Sequence, residues 1–409
     1  MPTFPSNLES ASDPPRAQTG LVMTGGGARA AYQVGVLRAI MDILNPVRDP
    51  GFPNPFPIIC GTSAGSINAA AFACRADQPH AAVERMQQLW ETLHTGMVYR
   101  ADAPGLIKTG VRWLGLMALG WMFAGFGRER PRSLLDNGPL AELLTGALDF
   151  EHLQTNLDQG ALNALAITAL GFNSGEHLTF YQAKRTIDPW RRSLRRALPV
   201  RLGVEHLLAS SSIPFIFPAQ AVDVQGQREW CGDGSIRQLA PISPAIHLGA
   251  TRVLVIGTNF LDETHPENRD AAPPYPSLAQ VGGHVLSTIF LDGLSMDVER
   301  LERINELVGY IGHDPAVGGG VRRVNVLTLT PSQSLDLLAL DYLSDMPIEP
   351  RTLFRVLGVS SDPDHASGGA LMSYLLFEGT YTRRLIELGY ADTMRRSEDV
   401  LGFFREGQA

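Results

Sequence analysis

Short apolar runs alternate along this chain with longer stretches whose apolar positions recur at helical spacing. Gly20-Leu21-Val22-Met23-Thr24, Phe56-Pro57-Ile58-Ile59-Cys60, Arg252-Val253-Leu254-Val255-Ile256-Gly257 and Val324-Asn325-Val326-Leu327-Thr328-Leu329 read as buried strands. Ala28 to Leu44 predicts a helix that Asn45-Pro46 stops, and Ser66 to Ala73 predicts a second. Ala161 to Phe172 and His177 to Gln182 are β-rich runs joined by the hairpin signal Asn173-Ser174-Gly175. Strands alternating with helices of ten or more residues imply parallel pairing with helices on both faces. The expected fold class is therefore α/β, a three-layer α/β/α arrangement around a mostly parallel central sheet.

The ends and insertions follow from the same pattern. Met1 to Thr19 is rich in Pro, Ser and Asn and predicts a flexible arm (1–19), without the apolar core of a secretory signal. Residues 20–345 form the expected principal domain, with an apolar insertion near 105–130 and a helical insertion at 277–312. Within the latter, Leu286, Phe290, Leu294, Leu301 and Ile304 recur at helical spacing after the polar, Pro-rich stretch Asp262 to Pro276. Residues 346–409, with the apolar run Gly368 to Gly379 and a second helical stretch from Tyr381 to Gly389, predict a helical extension packed on the same domain.

Composition changes this picture only by exclusion. The 409 residues carry 44% hydrophobic and 19% charged side chains, ordinary for a globular chain, and a net charge of -8, which argues against a nucleic-acid binder. Cys60, Cys74 and Cys231 are odd in number and lack C-x-x-C spacing, so neither a disulfide framework nor a structural zinc site is expected. A reducing, cytoplasmic setting fits.

Three segments carry candidate chemistry. Gly61-Thr62-Ser63-Ala64-Gly65 stands between a strand and a helix, where flanking glycines permit a sharp bend that pushes the Ser63 hydroxyl out to solvent, a nucleophile elbow. Gly25-Gly26-Gly27 opens the first helix, so its amides converge on an anion such as a tetrahedral oxyanion. The same loop satisfies the loose dinucleotide pattern Gly25-x-Gly27-x-x-Ala30, although the second strand ends in the serine turn and not in the acidic residue which that pattern wants. Asp233, bracketed by Gly232 and Gly234, is a carboxylate that partial desolvation would make a better base for Ser63. Ser63, Asp233 and His284 also stand in the Ser, Asp, His order of a triad enzyme. Arg29, at the positive end of the first helix, calls for compensation by a buried carboxylate or a substrate phosphate, unless it is simply solvated.

Together, Gly25-Gly26-Gly27-Ala28-Arg29, Gly61-Thr62-Ser63-Ala64-Gly65 and Asp233-Gly234-Ser235, in that order, resemble the patatin-like phospholipase family. The resemblance extends to Ala209-Ser210-Ser211-Ser212-Ile213-Pro214-Phe215-Ile216-Phe217-Pro218 and to Pro241-Ile242-Ser243-Pro244, and covers roughly Gly20 to Asn259. It implies a Ser63-Asp233 dyad, an oxyanion hole at Gly25, Gly26, Gly27 and Ala28, and support from Arg29, Gly61, Gly65 and Gly234. It further implies lipid acyl esters as substrates and no metal or other cofactor. Two positions depart from the pattern: Ala30 where the family usually has glycine, and Ser235 where it has glycine or alanine.

Two further segments suggest contact with lipid. Trp113 to Gly127 is uncharged and apolar, too short for the about 17–25 residues that span a bilayer, and is flanked by Lys108, Arg112, Arg128, Arg130 and Arg132. It reads as a surface or acyl-pocket helix, or equally as a core helix. Arg191, Arg192, Arg195, Arg196 and Arg201 form a second basic run, read as a solvated helix face or a head-group dock. Transient membrane-surface contact is the expected partnership, with no nucleic acid.

Overall fold

A computed structural model of the chain describes residues 18–100, 133–260, 277–311, 322–360 and 368–405. Residues 1–17 of the expected arm, the apolar 113–127 segment with its flanking basic residues, and the 262–276 stretch lie outside the described residues. The end of that arm is not flexible as expected: Thr19 is the buried first residue of the strand Thr19–Met23, and the Gln18 carbonyl accepts from Thr251 N–H at 2.8 Å.

Among the described residues, ten strands form one mixed sheet in the order β10-β9-β1-β2-β3-β4-β6-β5, with a β7-β8 hairpin joined to β3. They are β1 (Thr19–Met23), β2 (Ile58–Thr62), β3 (Ala164–Gly171), β4 (His177–Ala183), β5 (Arg191–Arg192), β6 (Arg195–Pro199), β7 (Gln220–Val224), β8 (Gln227–Asp233), β9 (Arg252–Ile256) and β10 (Asn325–Leu329). The five central strands from β10 to β3 run parallel, and β4 returns antiparallel through the 173–175 turn.

Strand periodicity of two explains the layers. In β1, β2 and β9 the residues Leu21, Met23, Ile59, Leu254 and Ile256 join one core, whereas Val22, Ile58, Cys60, Val253 and Val255 join another on the opposite face. The larger core lies under the helices Ala31–Leu44, Ala64–Ala73, Pro79–Thr92 and Gly379–Arg395, and the smaller lies under the helices Ser243–His247 and Leu278–Ile311. Leu294, Val298 and Leu301, spaced four and three apart on the long helix, pack on the smaller core.

Two elements differ from expectation. The first helix opens as a 3-10 turn at Gly27–Ala30 before the α-helix Ala31–Leu44. The arginine run is not a helix face; it folds as the β5-β6 edge hairpin, because Leu194 takes a left-handed turn conformation (φ 56°) that no glycine announces. Arg191 and Arg196 there pair with Glu176, and Arg201 with Glu151. No described helix is long and apolar enough to cross a membrane.

Candidate active site

β3 acts as the ruler of the site. Thr168 lies opposite Thr62 of β2 on one side, and its neighbour Ala169 lies opposite Asp233 of β8 on the other. Ser63 and Asp233 therefore leave their strands at the same level, 170 residues apart in sequence, and Ser63 Oγ donates to Asp233 Oδ2 at 2.6 Å.

Ser63 sits at φ 53°, ψ -132°, a backbone state disfavoured for any residue with a Cβ, and the helix Ala64–Ala73 starts immediately after it. The bend is held by hydrogen bonds and by space. Ser63 N–H donates to Ser210 Oγ at 2.8 Å, and Ser66 Oγ donates back to the Ser63 carbonyl at 2.6 Å. A Cβ on Gly65 would lie 2.4 Å from the carbonyl oxygens of Met23 and Thr24, so only glycine lets the elbow helix approach β1 this closely. Gly61, next to last in β2, lies equally close to the elbow helix: a Cβ there would meet Gly65 O at 2.5 Å. The hydroxyl is not pushed out to solvent as the sequence suggested: Ser63 is 1% exposed and lines a cavity whose walls include Ile67, Trp90, Leu144 and Phe377.

Asp233 is wholly buried, and burial pushes its carboxyl up to about 6. The Ser63 hydroxyl and the Ser235 N–H, which donates to Oδ1 at 2.8 Å, oppose that rise by stabilising the carboxylate. Gly234 N–H donates to Ser210 O, and the Gly234 carbonyl accepts from His177 Nε2 at 2.8 Å. Burial lowers the His177 imidazole to about 4, so the ring is neutral and Nε2 carries the proton.

The glycine loop faces the same cavity, since Gly27 lines it beside Ser63. Gly27 has φ 55°, and a Cβ there would meet the Tyr374 carbonyl oxygen at 2.1 Å. Gly25, Gly26, Gly27 and Ala28 are buried, and their N–H groups donate to no described acceptor. Ala30 takes an ordinary helical conformation (φ -63°, ψ -12°) and is fully buried, so its own backbone does not require glycine. The loop is anchored to the elbow helix by Asn68 Nδ2, which donates to Ala30 O and Gln33 Oε1, each at 2.9 Å.

Arg29 points away from this cavity. It is 3% exposed, pairs with Asp336, donates to Asn259 Oδ1 at 2.7 Å and Ser373 Oγ at 2.8 Å, and lies 3.9 Å over the Tyr374 ring. The compensating group is a carboxylate of the chain itself. His284 is exposed on the helix Leu278–Ile311, and no imidazole stands between Ser63 and Asp233.

Sequence reasoning assigned no role to Ser210, His177, Asn68 or Thr258, whose Oγ1 donates to Gly25 O at 2.5 Å. Of these only Ser210 carried a signal, as part of the serine run before Ile213.

The family model described as "Patatin-like phospholipase" matches residues 21–246, more than half of the chain. No curated protein matches the chain by sequence. Among solved structures, VipD from Legionella pneumophila is 11% identical with a TM-score of 0.32, over 94% of this chain and 67% of VipD. Human GIVD cytosolic phospholipase A2 is 11% identical with a TM-score of 0.43, over 96% of this chain and 63% of its own. Its complex with methyl gamma-linolenyl fluorophosphonate gives a TM-score of 0.42 over 59% of that chain. The chain here spans about three fifths of the human enzyme's length.

Proposed function

Because this chain belongs to the patatin-like phospholipase family, we propose that it is a serine lipid acyl hydrolase working through a Ser63-Asp233 dyad and an acyl-enzyme. The observation that carries this reading is the 2.6 Å hydrogen bond from the hydroxyl of Ser63, which stands on a strained elbow and lines an apolar cavity, to the buried carboxylate of Asp233.

The chemistry runs in two steps. Asp233 Oδ2 takes the Ser63 proton as Oγ attacks the ester carbonyl, and the alcohol leaves with that proton from Asp233. Water, deprotonated by the same carboxylate, then releases the fatty acid. The amides of Gly25, Gly26, Gly27 and Ala28 hold the oxyanion in this reading, which the place of Gly27 beside Ser63 in the cavity wall supports, each such donor being worth about 2.7–4 kcal/mol in comparable sites. Asp233 with its carboxyl near 6 is ionised at neutral pH yet basic enough to accept a proton. Gly61, Gly65 and Gly234 shape the turns, and Arg29 braces the glycine loop. The substrates are lipid acyl esters met at a membrane surface, a contact consistent with Phe215, 79% exposed.

Fatty-acid release from phospholipid, lysophospholipid and neutral-lipid esters tests this reading. Wild type is expected to release acid and to label with an alkyl fluorophosphonate. Ser63→Ala abolishes both, and Asp233→Ala lowers turnover by about 10²–10⁴-fold. Wild-type protein that neither hydrolyses nor labels is a lipid-binding module, and activity surviving Asp233→Ala sends the search for the base to the histidines.

A further inference from the structure

Behind the Ser63 cavity lies a second hollow. Its outer part is marked by Arg75, Arg85 and Gln88, all exposed, and it therefore opens on the surface. Ala71, Met86, Leu89, Ala147 and Leu148 line both hollows, so the two spaces meet on the same five side chains. Two of the five are alanines, and Met86 has an unbranched, adaptable side chain that leaves little to block passage.

The elbow helix shows how the spaces are strung together. Ile67 and Ala71 stand one turn apart on the helix Ala64–Ala73, which starts directly after Ser63; Ile67 lines the inner cavity, Ala71 lines both hollows, and Arg75, just past the helix end, lines the outer one. The seven helical steps from Ala64 to Ala71 rise about 10 Å. An acyl chain starting at Ser63 thus meets apolar wall along the inner cavity, then the two alanines, then the outer hollow.

We propose that the two hollows form one acyl channel, in which a long fatty-acyl chain held at Ser63 passes Ala71 and Ala147 and rests its methyl end in the outer hollow. This deepens the hydrolase reading and rests on it. A channel open at its far end sets no fixed upper length for the chain, and each methylene it takes from water favours binding. Ala71 and Ala147 then govern chain length, since a larger side chain at either one closes the passage.

The experiment compares kcat/KM for p-nitrophenyl butanoate, octanoate and palmitate in wild type, Ala71→Leu and Ala147→Leu, with Ala391→Leu, on the exposed side of the helix Gly379–Arg395, as control. Calorimetric binding of palmitate to Ser63→Ala, with and without Ala71→Leu, gives a second readout. The palmitate-to-butanoate ratio is expected to fall by about tenfold or more in both channel variants and to stay put in the control, and palmitate binding is expected to weaken with Ala71→Leu. A ratio unchanged in both channel variants overturns the channel. If no ester is cleaved but palmitate binds Ser63→Ala and is displaced by Ala71→Leu, the channel stands and the hydrolase reading falls. Neither hydrolysis nor binding overturns both.

Discussion

Asp233 concentrates the electrostatic cost of the site in one residue. Its carboxyl moves from 3.8 to about 6, chiefly through burial, so between those values the folded chain keeps a proton that the unfolded chain has released. Stability therefore falls as pH rises through this window and stays at the lower level above it, by an amount on the order of 3 kcal/mol at 1.36 kcal/mol per pH unit. As the proposed base, Asp233 must be ionised to work, so kcat/KM is expected to drop tenfold per unit below about pH 6. Asp233→Asn should lose turnover while gaining melting temperature over wild type progressively from about pH 4 to about pH 6. Parallel melting curves for the two proteins across that range would show that Asp233 is ionised at no cost to the fold. His177 belongs to the same economy: neutral and buried, it gives its one proton to the Gly234 carbonyl and leaves none to exchange with Ser63.

Among the elements, the decisive contact is between the glycine turn Gly27–Ala30 and the helix Gly369–Leu375. Gly27 tucks under the Tyr374 carbonyl, and Arg29 is shared by Asp336 and Ser373. Asp336→Ala leaves a guanidinium that is 3% exposed without its carboxylate, and is expected to cost about 2–5 kcal/mol of stability, toward the lower end because Asp336 itself is 36% exposed. Denaturant unfolding measures this, and Asp336→Asn, which keeps a hydrogen-bond acceptor, should cost less. An unchanged midpoint in Asp336→Ala would mean that Asn259, Ser373 and the Tyr374 ring suffice. These elements also show where sequence is readable. Ser63 and Asp233 announce themselves because the glycines that shape their turns are adjacent in the chain. Asp336 and Tyr374 do not, because Asp336 meets Arg29 across 307 residues of sequence and Tyr374 meets Gly27 through a backbone carbonyl that carries no side-chain signal. The β5-β6 hairpin was misread for a local reason: Leu194 turns without glycine, and arginines suit a helix face and a strand edge alike.

At the scale of the molecule, the two ends of the described chain are interlocked. The helices Ala31–Leu44 and Gly379–Arg395 cross with their backbones almost touching: a Cβ on Gly35 would lie 1.9 Å from Ile386 O, and one on Gly389 would lie 2.2 Å from Tyr32 O. The Tyr32 hydroxyl also bonds Asp392 Oδ2 at 3.2 Å, and Phe377 walls the Ser63 cavity. Removing residues 346–409 therefore strips the first helix, the glycine turn and the cavity at once. The truncated protein is expected to lose cooperative thermal unfolding and fluorophosphonate labelling together. Labelling at the full-length rate would show that the tail is dispensable cladding.

The Tyr374 carbonyl over Gly27 has a temporal meaning as well. A chain emerging from the ribosome displays its serine early and its aspartate midway, but the turn that would receive an oxyanion acquires its lid of backbone only after residue 374 has been made. On the proposed reading, a chain interrupted before residue 374 would carry Ser63 and Asp233 but lack the backbone that packs on Gly27.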